Sequence, residues 1–201
     1  MAILISKDII QAAMSFLPEQ HDRRQFLNGV LLKCDGYNLF VMSSNGNAGF
    51  AHRIVLDEYN TPFEFIVSKD SLVLLLTAMK PYKKHNNIQI VVSDDSSTFD
   101  VYFADFMLPL TKMTEKYPFE VLMKTLNVNS GNVVSDKVEQ YDPTYLMLIK
   151  KACVLLSKDK SYQCSFNCGF GLLHVYDNNT VMVLMPYNHQ IETQPIPEWI
   201  L

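Results

Sequence analysis

The chain runs through one short programme three times. Ile3, Leu4, Ile5, Ser6, Lys7 and Asp8 lead into an apolar stretch over 9–17, and Phe65 to Asp70 lead into another over 72–79. Val138 to Pro143 lead into a third over 145–156. Each time a brief β-like run ends on a Ser or Asp suited to cap a helix, and Pro143 is placed for a first helical turn. Apolar residues then recur at helical spacing, as Ile9, Ile10, Ala13, Met14 and Leu17 do in the first stretch and Leu146, Ile149, Cys153 and Leu156 in the third. Short apolar runs split by Gly, Asn, Asp and Ser follow every helix. They read as strands over 26–34, 39–42 and 49–56, then 88–92, 98–103 and 106–110, then 163–167, 171–176 and 181–185. An internal repeat of this kind constrains the fold more than any single residue.

Three β-α-β-β-β units make an α+β chain with helices on one face of antiparallel sheets. Units over 1–60 and 61–123 form one domain. Residues 124–137 are polar and read as a linker, a third unit covers 138–187, and 188–201 form a tail. The tail holds Trp199, and its prolines forbid regular structure. With 48% apolar and 19% charged residues, 201 residues can bury a proper core. No apolar run approaches bilayer length, and residues 1–5 lack the basic region of a secretory leader. A cytoplasmic protein without a membrane partner is expected.

The charge is distributed unevenly. Segments 7–24, 69–85 and 142–160 hold 11 of the 17 basic residues and 6 of the 21 acidic ones, a net of +5 in a chain of net −4. Lys7, Lys80, Lys83, Lys84, Lys150, Lys151 and Lys158 project from the helix faces opposite the apolar ones. Such faces suit a polyanion along one side of the molecule, and equally suit plain solvation.

Catalytic constellations are missing from the sequence: no phosphate-binding loop, no nucleophile elbow and no paired histidines of a zinc enzyme. Cys164 and Cys168 could supply half of a metal site for a thiol- or metal-dependent enzyme, but no second Cys/His pair follows at zinc-finger distance. Packing as small hydrophobes is the simpler reading of the four cysteines. Neither an enzyme nor a cofactor is expected.

Several segments resemble the bacterial DNA polymerase III beta subunit, the sliding clamp. Asp22-Arg23-Arg24-Gln25-Phe26-Leu27-Asn28-Gly29 is similar to the family's D-x-R-x-x-L-N-G. Phe65 to Leu76 resembles its strand-plus-helix segment, Asp105-Phe106 with Glu115-Lys116-Tyr117-Pro118 its GDF…GRFPDY stretch, and Val183-Leu184-Met185-Pro186 its closing VVMP. The resemblance covers most of 1–187. It implies a DNA-clamp fold: one complete clamp domain plus about half of a second, shortened as a phage or prophage relative would be.

The resemblance also implies function. Duplex DNA would be bound without sequence specificity through Arg23, Arg24, Lys80, Lys83, Lys84, Lys150 and Lys151. A polymerase or other replication protein would dock by a short motif in an apolar pocket containing Met123, Val183, Met185 and Pro186. For Val183 and Met185, core packing is the alternative. Ser44 to Gly49 stand where the family has T-D-G-H-R-L, with only the glycine kept, so the pocket wall is altered. A homo-oligomer, dimer or tetramer, would complete the half domain and could close a ring. The alternative is a non-encircling clamp-fold protein that binds or competes for replication partners.

Overall fold

The computed structural model describes residues 2–82, 84–92, 97–129, 141–157, 166–168 and 172–185. The first unit comprises β1 (Ala2–Ser6), α1 (Lys7–Met14), β2 (Gly29–Cys34), β3 (Asn38–Ser44) and β4 (Ala48–Val55). The second comprises β5 (Phe63–Ser68), α2 (Lys69–Met79), β6 (Asn87–Val92), β7 (Thr98–Phe103) and β8 (Phe106–Met113). Then come α3 (Phe119–Asn129), α4 (Pro143–Leu156), β9 (Phe166–Cys168), β10 (Leu172–Asp177) and β11 (Thr180–Leu184).

The helix starts follow from side-chain chemistry. Ser6 Oγ accepts the Asp8 N–H at 3.2 Å, and Ser68 Oγ accepts the Ser71 N–H at 3.1 Å. Asp142 Oδ1 takes the Thr144 N–H at 2.8 Å, with Pro143 in the first turn. Each cap satisfies an amide that the helix itself leaves open. Because capping occurs at Ser6 and Ser68, α1 and α2 begin two to three residues before their apolar runs.

All described strands join one antiparallel sheet in the order β1-β6-β7-β8-β5-β2-β3-β4-β11-β10-β9. The first strand of each unit pairs with the other unit: Ser6 lies opposite Asn87, and Ser68 opposite Gly29. That exchange fuses the two units into a single body. Beyond β4, the pairing of Ala48–His52 with Thr180–Leu184 attaches the third unit.

Alternation along the strands sends successive side chains to opposite faces. On one face Val30, Leu32, Val41 and Phe50 meet Ile10, Ala13 and Phe16 of the α1 region, Leu72, Leu75 and Met79 of α2, and Ile149, Ala152 and Cys153 of α4. α1 packs between α2 and α4, and the buried Ser43 hydroxyl donates to Ala13 O at 2.7 Å, tying it to β3. On the other face Leu31, Met42, Ile66 and Val183 pack with Tyr117, Phe119, Leu122 and Met123. The three repeat helices therefore share a face, as expected.

Helix α3 is an addition that the repeat does not contain. It covers the opposite face and occupies 124–129, the first part of the expected linker. The strand expected over 26–34 also begins later, because Gln25–Asn28 form one 3-10 turn. Its cause is Asn28, whose amide donates to Asp22 O and whose Oδ1 accepts the Asp22 N–H, both at 2.8 Å. Gly29 follows because a Cβ there would lie 2.4 Å from Val67 O. The expected strand over 138–140, the rest of the linker and the tail lie outside the described residues.

Candidate functional site

A pocket of about 220 Å³ opens where the first unit, α3 and β11 meet. Its apolar wall comes from Phe26, Tyr117, Leu122, Val183 and Met185, and its floor from Gly49. A Cβ on Gly49 would approach Val183 Cγ1 to 3.2 Å and Leu122 Cδ1 to 3.3 Å, so glycine keeps this space open. Tyr117 is buried edge-on against Phe26, their ring centres 5.8 Å apart, and burial pushes its hydroxyl pKa up.

The rim is polar and held by short-range bonds. Between β3 and β4, Asn45 Oδ1 accepts the N–H groups of Asn47 and Ala48 at 2.9 and 2.7 Å, and Ser44 Oγ accepts that of Gly46 at 2.9 Å. Asn47 Nδ2 donates to Tyr145 Oη of α4 at 2.8 Å, while the Met185 N–H donates to Asn47 O at 2.7 Å. One turn thus touches the first unit, α4 and the end of β11.

Arg24 lies over this turn, at Gly46, where φ is 93° and a Cβ would meet the guanidinium at 2.6 Å. Asp22 holds it through Nε and Nη2, each at 3.0 Å, and the Arg24 hydrogen bonds pull the Asp22 carboxyl pKa down to about 2. The arrangement offers an apolar slot for one or two side chains beside an amide and guanidinium rim.

Val183, Met185 and Arg24 come together here, although Arg24 was expected among the DNA contacts. Met123 packs in the hydrophobic cluster of the same face but does not line the pocket, whereas Leu122 does. Pro186 and Lys83 lie outside the described residues. Tyr117, Leu122 and Phe26 are lining residues that the sequence reading missed. Pro118, just before an acidic Glu120 in a first helical turn, is the signal that could have revealed α3.

The other described cations of the expected set do not line the pocket. Arg23 is exposed ahead of the 3-10 turn, Lys80 and Lys84 flank the end of α2, and Lys150 and Lys151 project from the middle of α4. Among the described residues no carboxylate pairs with these five; the described ion pairs are Arg24–Asp22 and Lys33–Glu64. The faces are mixed, however. Val73 and Leu74 of α2 are 48% and 54% exposed, and Met147 and Val154 of α4 58% and 52%.

No group of three or more His, Cys, Asp or Glu residues suited to a metal occurs among the described residues. Cys164 lies outside them. Cys153 Sγ sits 3.5 Å from His174 Nε2, and both are buried between α4 and β10. Cys34 is also buried, and its thiol pKa is raised by that burial. No described helix is long and apolar enough to cross a membrane.

No family model matches the chain, and no curated protein matches it by sequence. Solved structures do match. The DNA polymerase sliding clamp of Bacillus subtilis superposes with a TM-score of 0.69 at 12% identity, covering 94% of this chain and 65% of that one. The sliding clamp of Pseudomonas aeruginosa gives 0.67 at 13% identity over 94% and 67%. The DNA polymerase III beta subunit of Thermotoga maritima gives 0.63 at 10% identity over 99% and 66%. The chain has the α+β fold of DNA clamps and spans 65% of the Bacillus protein's length, as one clamp domain with part of a second.

Proposed function

We propose that this chain is a sliding-clamp-like replication protein, tethering a polymerase or repair factor to duplex DNA without reading sequence. The observation that carries the reading is the position of the pocket. It lies at the joint between the first and third units, where Val183 and Met185 of β11 and its end meet the β3–β4 turn within a clamp fold. A partner's short apolar motif would fill the slot, and Asn47 and Arg24 would hold its polar flank. Lys80, Lys84, Lys150 and Lys151 supply charge without base-reading geometry, which gives attraction that falls steeply with salt.

Fluorescence anisotropy with a labelled 30-base-pair duplex tests the DNA half. Binding should weaken linearly in log–log form as salt rises, and charge reversal at Lys80, Lys84, Lys150 and Lys151 should abolish it. Equal binding by the reversed variant would reject the reading. Retention on nicked circular but not linear DNA, together with light scattering, would report encirclement by an oligomer.

A second reading is a clamp-fold interaction protein that does not encircle DNA. Two observations favour it. The helix faces interleave the lysines with exposed Val73, Leu74, Met147 and Val154. In addition, the register places Pro109 of β8 where β4 has Arg53, whose N–H donates to Asn179 O at the joint with the third unit. A similar joint on β8 would lack that bond, and proline is typical of edges left unpaired.

A further inference from the structure

The two repeat units differ at one seam. In the second, β8 returns to pair with β5, with Ile66 opposite Met113 and Val67 opposite Lys112. Carrying the registers through the ladders (Ser6 for Ser68, Met42 for Tyr102, Ala51 for Met107) would set Leu4 opposite Asp57 and Ile5 opposite Leu56. That ladder does not form. β4 ends at Val55, two residues short of the position equivalent to Met113, and β1 has β6 as its one partner in the sheet. Asp57 and Glu58 stand where the strand would have to continue, and acidic residues are poor strand formers.

Between these edges lies a groove of about 480 Å³ lined by Ala2, Ile3 and Leu4 on one side and 54–58 on the other. Leu4 and Val55 flank it, 61% and 62% exposed. The edges carry hydrogen-bonding groups that face the opening. Lys7 N–H donates to Asn86 O, which fixes the ladder phase: Ile3 and Ile5 turn their amides to β6, and Ala2 and Leu4 turn theirs away. Leu56 N–H donates to Tyr37 O, so Val55 likewise presents its amide to the groove.

Asn60, 7% exposed, lies in the floor. Its N–H donates to Gly36 O and its Nδ2 to Glu58 O, but among the described residues its Oδ1 accepts no hydrogen bond. Asp57 and Glu58 are the charged residues among the nine described residues that line the groove, and no cation is among those nine.

We infer that this seam is a strand-accepting groove for an extended, basic peptide of a protein partner. Such a segment would add beside β1, taking main-chain bonds from Leu4 and Val55. It would cover both exposed aliphatics with alternate side chains and place Lys or Arg beside Asp57 and Glu58. This is strand addition, in which backbone bonds give affinity and alternating side chains give specificity. The site is separate from the pocket at β11 and requires no DNA.

The probe is a fluorescein-labelled octapeptide of alternating valine and lysine, titrated with the full chain and followed by anisotropy. Binding with a Kd below about 1 mM is expected, weakened at least about tenfold by the pair Asp57→Lys and Glu58→Lys. Val55→Pro removes the groove-facing N–H and should weaken binding comparably, with circular dichroism confirming that the variant is folded. Amide shifts confined to 2–6 and 53–60 support the inference. No binding by the wild-type chain would overturn it, as would shifts centred on 117–122 and 183–185. Equal binding of a control peptide with proline at alternate positions would overturn it too, because plain charge attraction would then suffice.

Discussion

Replacing Gly29 by alanine should cost far more than a surface glycine would. Gly29 begins β2 opposite Ser68, at the point where the second unit's first strand crosses into the first unit. An added Cβ would sit 2.4 Å from Val67 O and 2.5 Å from Ile66 Cγ2. The first contact is with backbone, so no rotamer change relieves it, and the end of the six-pair β2·β5 ladder must open. Overpacking costs about 1–3 kcal/mol and a lost backbone hydrogen bond about 1 more, so Gly29→Ala should destabilise by about 3 kcal/mol. For a chain of this size that corresponds to a melting midpoint lower by roughly 6–12 °C. Urea unfolding followed by circular dichroism, with the slope held constant, measures the difference. A loss below about 0.5 kcal/mol would show that β2 and β5 are not locked at this crossing, and the reasoning would fail.

Three further outcomes are expected. Ala104, between β7 and β8, has φ 47°, so Ala104→Gly should raise the urea midpoint, by up to about 1 kcal/mol in stability. Gly46→Ala should lower it by about 1–2 kcal/mol, from the left-handed strain and from displacement of Arg24; unchanged stability would count against the described rim. His52 bonds Thr180 Oγ1 at 2.8 Å across the joint between β4 and β11, and burial lowers its pKa from 6.5. The folded state therefore favours neutral His52. Its contribution is complete above pH 6.5 and is lost as pH falls through the lower folded value. His52→Gln should flatten that part of the acid-side decline, read as the difference between wild-type and variant urea midpoints.

The three units were legible because their signals are local. Ser6, Ser68 and Asp142 announce helix starts, and Pro143 confirms one. Turn residues such as Asp35-Gly36 and Asn45-Gly46 separate the strands. Helix α3 was not legible, because Thr125, Asn127 and Asn129 form helix poorly and the run continues into a Ser-Gly pair. What stabilises it is tertiary: Phe119 packs against Phe40 with ring centres 5.5 Å apart, under Lys33 at 4.0 Å. Of α3, Leu122 lines the pocket, and Met123, expected there from the resemblance, packs in the same cluster. The surroundings of Arg24 were not legible for a related reason. A charge count cannot distinguish a cation facing solvent from one that Asp22 turns over the glycine of the β3–β4 turn. The seam beside β1 left no sequence mark other than Asp57-Glu58, because an open edge is visible only when its repeat counterpart is closed.

Strand β4 is held unequally along its length. Gly49 to His52 pair with β3 on one side and β11 on the other, whereas Ile54 and Val55 have β3 alone. A single strand therefore divides into a half whose amides are doubly sheltered and a half that can fray without disturbing the joint to the third unit. Protection of the amides from hydrogen exchange should step down between His52 and Val55, in one continuous strand. An extended peptide arriving at the frayed half would find it loosened, while the half that holds the third unit stays shut.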